Sequence, residues 1–221
     1  MILGIYGASG LGTEYENLAE EINEVQHRWD SFVFVDDDPQ KNGKTLADLP
    51  IISFEQAVEQ YGKDGIEFIL AIGEPAVKDI VFQKVCAAGC ALTNLFHPDV
   101  RMIRTATYGK GLVIHKDSGF PTCCNFGNNV LLQGKTALGH NLQLGDNVVI
   151  SSMVFVGGDV TIGRNTYVGP GSIVRNGLTI GENAIIGMGA VVTKDVPDNA
   201  VVYGNPAKVM RYNDKGRVFS K

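Results

Sequence analysis

Every sixth residue from Ile114 to Val192 is apolar, and a fold that buries one side chain in six is the strongest constraint in this chain. The positions are Ile114, Phe120, Phe126, Leu132, Leu138, Leu144, Ile150, Val156, Ile162, Val168, Val174, Ile180, Ile186 and Val192. With 44% of all residues hydrophobic, an unbroken run of this length arises by chance at a rate on the order of 10⁻⁵ per frame. The residue after each position is very often glycine, as at Gly127, Gly139, Gly145, Gly157, Gly163, Gly169, Gly181 and Gly187. Two places before it sits a small or β-branched residue, such as Val148, Val154, Thr166, Ser172, Ala184 or Ala190. A helix repeats near 3.6 residues and a strand near 2, so neither explains a period of six. A solenoid does: each hexapeptide makes one short strand and a turn, and three of them make an 18-residue triangular coil. The large side chain and the small one before it point inward, and the glycine supplies the turn. Stacking coils covers each open strand edge with the next, roughly 4.8 Å away. The run provides between four and five coils, enough for a continuous core.

The first hundred residues follow another pattern. A buried strand over residues 2–6 leads into Gly7-Ala8-Ser9-Gly10-Leu11-Gly12, and a helical pattern opens at Thr13 with Leu18, Ile22 and Val25 on one side. Backbone N–H groups at such a helix start suit a phosphate. The GxxGxG spacing departs from the dinucleotide fingerprint, which argues against NAD. A second strand, 32–35, ends at Asp36-Asp37-Asp38-Pro39, where acidic residues commonly meet a ribose or base; Asp38 reads as a turn residue. Further strands are read at 51–52, 67–72 and 91–96, with helices at 54–61 and from Pro75 to about Ala88, capped by Gly89. The alternation implies a small parallel sheet with helices on its faces, a half-sized Rossmann-like unit. The fold class is therefore α/β plus β-solenoid, with the Rossmann-like unit over 1–98 and the solenoid with a closing segment over 99–221. A basic helix or tail with Lys208, Arg211, Lys215 and Arg217 is expected at the end.

The net charge of −5 and the lack of a basic stripe give no case for nucleic acid. Nothing approaches 18 uninterrupted apolar residues, so no membrane span is expected. With no signal-peptide pattern at the start, a cytoplasmic protein is expected. The four cysteines, Cys86, Cys90, Cys123 and Cys124, make no metal or redox motif and read as buried free thiols. Nothing near Cys123 or Cys124 would activate a thiolate, which argues against an acyl-cysteine route. Of the four histidines, His27 reads as exposed at a helix end and His97 as a junction residue. His115 and His140 are 25 residues apart with no third histidine nearby in the solenoid, so no metal site is expected. His140, in Leu138-Gly139-His140-Asn141-Leu142, is the best general base available.

Taken in order, Gly-Ala-Ser-Gly-x-Gly, Phe-Val-Asp-Asp, Ala-Ile-Gly, the hexapeptide run and Gly-Asn-Pro-Ala-Lys resemble one family over nearly the whole chain. It is the bacterial hexapeptide-repeat sugar acetyltransferases, of the bacillosamine-pathway nucleotide-sugar N-acetyltransferase and sialic acid O-acetyltransferase type. The resemblance implies a left-handed parallel β-helix and transfer of an acetyl group from acetyl-CoA to the amine of a UDP-linked 4-amino sugar, without an acyl-enzyme. It places the base at His140 and the nucleotide sugar on Ser9, Gly10, Leu11, Asp36, Asp37 and Gly73. Acetyl-CoA would run past Gly158, Pro170 and Met188, with Lys208 at its phosphates, and Gly158 would supply the oxyanion N–H. A homotrimer with sites between subunits is implied. The chain departs from the family in having Asn141 where relatives carry an acid directly after the histidine, and Leu11 where many have histidine. An amide orients the ring but does not stabilise its charged form. An O-acetyltransferase acting on a sugar such as sialic acid, and a non-catalytic trimeric nucleotide-binding scaffold, are the alternative readings.

Overall fold

The computed structural model describes residues 1–214 and 216–219; Lys215, expected in the closing segment, lies outside them. The N-terminal unit is a six-stranded sheet formed by β1 (Ile2–Tyr6), β2 (Ser31–Val35), β3 (Thr45–Leu46), β4 (Leu49–Ile52), β5 (Ile66–Leu70) and β6 (Ala91–Leu92). Its order is β3-β4-β2-β1-β5-β6, parallel throughout except for the β3–β4 hairpin. The order reverses at β1, so a crevice opens where the carboxyl ends of β1, β2 and β5 meet. Helices α2 (Phe54–Tyr61) and α3 (Pro75–Ala87) cover one face, burying Tyr6, Val33, Val35, Phe68 and Leu70 with Phe54 and Val85.

Helix α1 (Gly10–Gln26) covers the other face and is itself covered by the solenoid. Tyr15, Leu18, Ala19 and Ile22 share a core with Leu3, Ile5 and Ile69 of the sheet and with Leu95, Val113, Leu131 and Val149 of the β-helix. Val25, expected on this side, is exposed, because the helix unwinds just beyond it, at the left-handed His27. The helix also begins earlier than expected, at Gly10 with Ser9 as its N-cap.

The remainder is a parallel β-helix. All 14 positions of the period face the interior, the first of them Ile114 and the last Val192. The small residues two places earlier are buried as well. Register partners on the regular coils differ by 18, as in Phe155↔Ile173 and Thr161↔Thr179, until the last coil shortens to 16 at Ile186↔Val202. Pairing begins before the apolar run. The expected strand 91–96 divides, Ala91–Leu92 joining β5 while Leu95–Phe96 pairs with Val113–Ile114. The closing segment is a strand, Lys208–Tyr212, antiparallel to Ala200–Tyr203, rather than a helix.

The turns do not work as the sequence implied. Positive φ falls three residues after every core position but the last, at Asp117, Cys123, Asn129, Lys135, Asn141, Asn147, Met153, Asp159, Asn165, Gly171, Gly177, Asn183 and Gly189. The glycine directly after the core position has ordinary φ and serves another purpose. A Cβ there would strike the next coil, 2.6 Å from Arg164 N at Gly145 and 2.7 Å from Met188 N at Gly169. Close approach of coils, not turn geometry, selects it.

The three faces differ outside. Leu95, Val113, Leu131 and Val149 point to the N-terminal unit and are buried, with Tyr167 half-buried against them. Thr107, Asn125, Gln143, Thr161 and Thr179 form a polar, exposed face. The third face carries Ala137, Phe155 and Ile173, apolar and exposed, with Val191 half-buried.

Candidate active site

At the crevice, the glycine loop divides its roles. Gly7 and Gly12 are held by packing: a Cβ at either would meet backbone carbonyl oxygen, Ala71 O and Gly7 O respectively. Gly10 has open space in the direction a Cβ would take. Because the first helical bond is Thr13 N–H to Ser9 O, 3.1 Å, the N–H groups of Gly10, Leu11 and Gly12 have no backbone acceptor among the described residues. They face the carboxyl end of the sheet, an electropositive helix start suited to an anion.

Asp36 and Asp37 both lie at this end but are engaged within the chain. Asp36 accepts from Ala8 N (3.0 Å), Asp38 N (3.0 Å) and Lys41 Nζ (2.7 Å), pinning the glycine loop to strand β2. Asp37 accepts from the Tyr6 hydroxyl, Lys84 Nζ (2.8 Å) and Phe54 N (3.3 Å). Burial works to raise the Asp37 carboxyl, but the Lys84 and Tyr6 hydrogen bonds outweigh it and hold the group below its usual range. Gly73 faces Leu11 and the ring of Phe219, 3.9 and 3.7 Å from where its Cβ would be. The closing segment thus reaches the crevice: Val218 N–H and Phe219 N–H donate to the Glu74 carboxylate at 2.8 and 3.0 Å, and Phe219 meets Tyr167 edge-on at 5.3 Å. Lys41, Glu74 and Phe219 carry no motif signal; only the folded chain brings them here.

His140 lies in the turn between the apolar and polar faces. Its ring rests on Gly158 of the next coil, where a Cβ would fall 2.8 Å from Cε1 and 2.9 Å from Nε2. Among the described residues, Gly158 N–H donates no hydrogen bond, while its neighbours Gly157 and Asp159 donate to Val174 O and His140 O. A free amide therefore adjoins a free imidazole nitrogen. His140 Nδ1 is 3.9 Å from Asp159 Oδ2, and Asn141 Nδ2 donates to Asp159 Oδ1 at 2.7 Å. Asp159 was not read from the sequence; an 18-residue offset from Asn141 is the signal that would have found it.

Pro170 and Met188 stack one coil apart at the opposite end of the apolar face, Gly189 N–H donating to Pro170 O at 3.0 Å. One chain does not bring them to Gly158. Nor does a described cavity hold both the glycine-loop end of the molecule and His140. A cavity of about 480 Å³ lies between Glu14 of α1 and His115, Lys116, Lys135 and Met153 at the Pro170 end. His115 Nε2 and Tyr15 Oη are buried beside it without partners among the described residues, and burial pushes the His115 imidazole down. Lys208 lines a second cavity of about 320 Å³ with Lys194 at the end of the solenoid.

Two of the four cysteines, Cys86 and Cys123, are exposed, contrary to expectation. Cys123 is at a left-handed corner, which turns its side chain outward. Burial pushes the Cys124 thiol up to about 11, far from the thiolate a nucleophile needs. His97 is the junction residue expected, 3.0 Å from Glu21 of α1. No helix among the described residues is long and apolar enough to cross a membrane.

Residues 3–85 match the model of the PglD N-terminal domain, and residues 159–194 match that of the bacterial transferase hexapeptide. The chain thus joins a PglD-type N-terminal domain to bacterial transferase hexapeptide repeats, the two parts of the sugar acetyltransferases it resembles. The acetyltransferase domain of PglB from Neisseria gonorrhoeae FA1090, solved with acetyl coenzyme A, is 26% identical with a TM-score of 0.86, covering 95% of this chain and 98% of that one. WeeI from Acinetobacter baumannii AYE is 26% identical with a TM-score of 0.84, over 95% and 100%. PerB from Caulobacter crescentus, solved with CoA and GDP-perosamine, shares the fold at 22% identity and a TM-score of 0.86, over 96% and 98%. No curated protein matches the chain. The chain thus shares the two-part architecture of these solved acetyltransferases over at least 95% of its length.

Proposed function

We propose that the protein moves the acetyl group of acetyl-CoA to the amine of a nucleotide-linked amino sugar, with His140 as general base. The observation that carries this reading is the His140 ring lying against Gly158, whose N–H has no acceptor among the described residues. The neutral amine attacks the thioester carbonyl, forming the C–N bond. Gly158 N–H donates to the developing oxyanion, a contribution of roughly 3 kcal/mol. His140 Nε2 takes the ammonium proton as the intermediate forms; the C–S bond then breaks and the proton passes to the CoA sulfur. No acyl-enzyme is needed, and the Cys124 thiol, held near 11 by burial, is unsuited to forming one.

The nucleotide is read at the free N–H groups of Gly10, Leu11 and Gly12, with Ser9 and Gly73 at the crevice. Asp36 and Asp37 act by shaping the loop, since their oxygens are already engaged. The sugar amine and the base come together in a homotrimer. The exposed apolar face of Phe155 and Ile173 separates the Pro170–Met188 end from Gly158 and His140, so a second copy across that face unites the two halves of the site. Lys208 and Lys194 supply positive charge for the phosphates of CoA. In a trimer the cleft excludes water, which strengthens the Gly158 contact.

The test is thiol release from acetyl-CoA with UDP-linked and GDP-linked 4-amino sugars, comparing the parent with His140→Ala. Turnover in the parent and a loss of at least about 100-fold on substitution, with CoA still bound, is the expected result. Turnover indifferent to His140, or none with any amino sugar, overturns the reading.

A further inference from the structure

We propose that Asp159 is the carboxylate that positions His140 and balances its charge, supplied by the next coil in place of an acid at position 141. The proposal rests on His140 being the base. In this solenoid, residues 18 apart are stacked neighbours, and Asn141 and Asp159 occupy the same left-handed corner in successive coils, with φ of 56° and 58°. Asp159 N–H donates to His140 O at 2.8 Å, fixing the carboxylate beside the ring. The two oxygens have separate tasks. Oδ1 accepts from Asn141 Nδ2 at 2.7 Å, and Oδ2 faces His140 Nδ1 at 3.9 Å. Asn141 therefore holds the carboxylate rather than the imidazole. An acid can move from position 141 to 159 without leaving the reach of the ring, because the coils are one strand spacing apart.

The arrangement also selects the tautomer. A proton on Nδ1 directed at Asp159 leaves Nε2 free to accept, and Nε2 is the nitrogen nearest Gly158 after Cε1. Both side chains are more than half exposed, 62% and 56%, so in the single chain the attraction is screened and the contact is an ion pair at its outer limit. Among the described residues, no other ionisable group pairs with His140. The same corner carries Cys123 one coil before Asn141, and Gly177 one coil beyond Asp159. Arg175 stands one coil beyond Gly157, at the edge of the apolar face.

The test is the pH dependence of kcat/KM for thiol release from acetyl-CoA with the amino-sugar nucleotide that supports turnover, in the trimeric protein. Asp159→Asn is expected to lower kcat/KM about 5-fold, the effect of one partly exposed ion pair, and to move the acid limb to lower pH while KM for acetyl-CoA holds. The exchange variant Asn141→Asp/Asp159→Asn is expected to restore both the rate and the limb. An Asp159→Asn profile that superimposes on the parent overturns the proposal. So does a loss of rate with an unmoved limb that the exchange variant fails to restore, since that marks a structural residue. His140→Ala in the same assay separates the two levels: if it is inactive while Asp159→Asn behaves as the parent, only the Asp159 assignment falls. If His140→Ala retains parental turnover, the base assignment falls and takes this proposal with it.

Discussion

Gly157 and Gly158 are adjacent in sequence, yet adding one methyl group to each should damage different properties. At Gly158 a Cβ would lie 2.8 Å from His140 Cε1, 2.9 Å from Nε2 and 3.2 Å from Cδ2. Ordinary carbon contacts lie at about 3.5–4.0 Å, so the ring must retreat by somewhat under ~1 Å. The ring is on the surface and free to move, and φ at Gly158 is not in the left-handed region. The fold should therefore tolerate Gly158→Ala, with a melting temperature close to the parent's or slightly higher, because alanine narrows the unfolded ensemble. Activity should not tolerate it if His140 is the base proposed above: displacement of a catalytic group by that much costs on the order of 100-fold. At Gly157 the methyl group would instead lie 2.5 Å from Asn176 N and 2.7 Å from Asn176 Cα, backbone atoms that cannot rotate away. Gly157→Ala must spread the coils, costing about 1–3 kcal/mol and lowering the melting temperature by roughly 2–12 °C for a chain of this size. Thermal melts and acetyl-CoA turnover on both variants decide the matter. Parental turnover in Gly158→Ala would refute the placement of the base over this glycine. Equal destabilisation of both variants would refute the distinction between ring contact and backbone contact.

Two further outcomes follow from burial. Lys78 is fully buried on α3 and donates to Asn129 O at 2.8 Å, and burial pushes its ammonium down to about 7. Between about pH 7 and the ordinary lysine value of 10.5, the unfolded chain holds a proton that the folded chain has released, so stability rises with pH in that window. The urea midpoint of the parent should climb from pH 7 to pH 9 relative to that of Lys78→Met; identical climbs would show that Lys78 is not desolvated in solution. On the apolar face, Phe155→Asp should convert the proposed trimer to single chains in light scattering and abolish turnover with little effect on the core, since Phe155 points outward. An intact trimer would remove that face from the interface.

The β-helix was legible because its period is local and its core is one-dimensional: each hexapeptide buries its own large and small residue, whatever the neighbouring coils contain. The Rossmann-like unit was legible from alternating strand and helix patterns. The start of α1 was misplaced because Gly10 and Gly12 are poor helix formers, and only the packing of Gly12 against Gly7 O and Phe34 draws the first turn into the loop. The strand read as 91–96 divides at Thr93 because Leu95 is buried against α1 and the β-helix rather than in the sheet. Both are tertiary demands that override a local pattern.

By itself the sequence determined the period, the two-part architecture and the candidacy of His140, since spacing and residue type record which side chains must be buried and which can carry a proton. Only the tertiary structure decided which outer face meets the N-terminal unit, that Asp36 and Asp37 are already bonded, and that Asp159 stands beside His140. Those facts depend on residues one coil or a whole domain apart. Their proximity arises from the stacking of coils and the docking of α1, and it has no counterpart in local spacing.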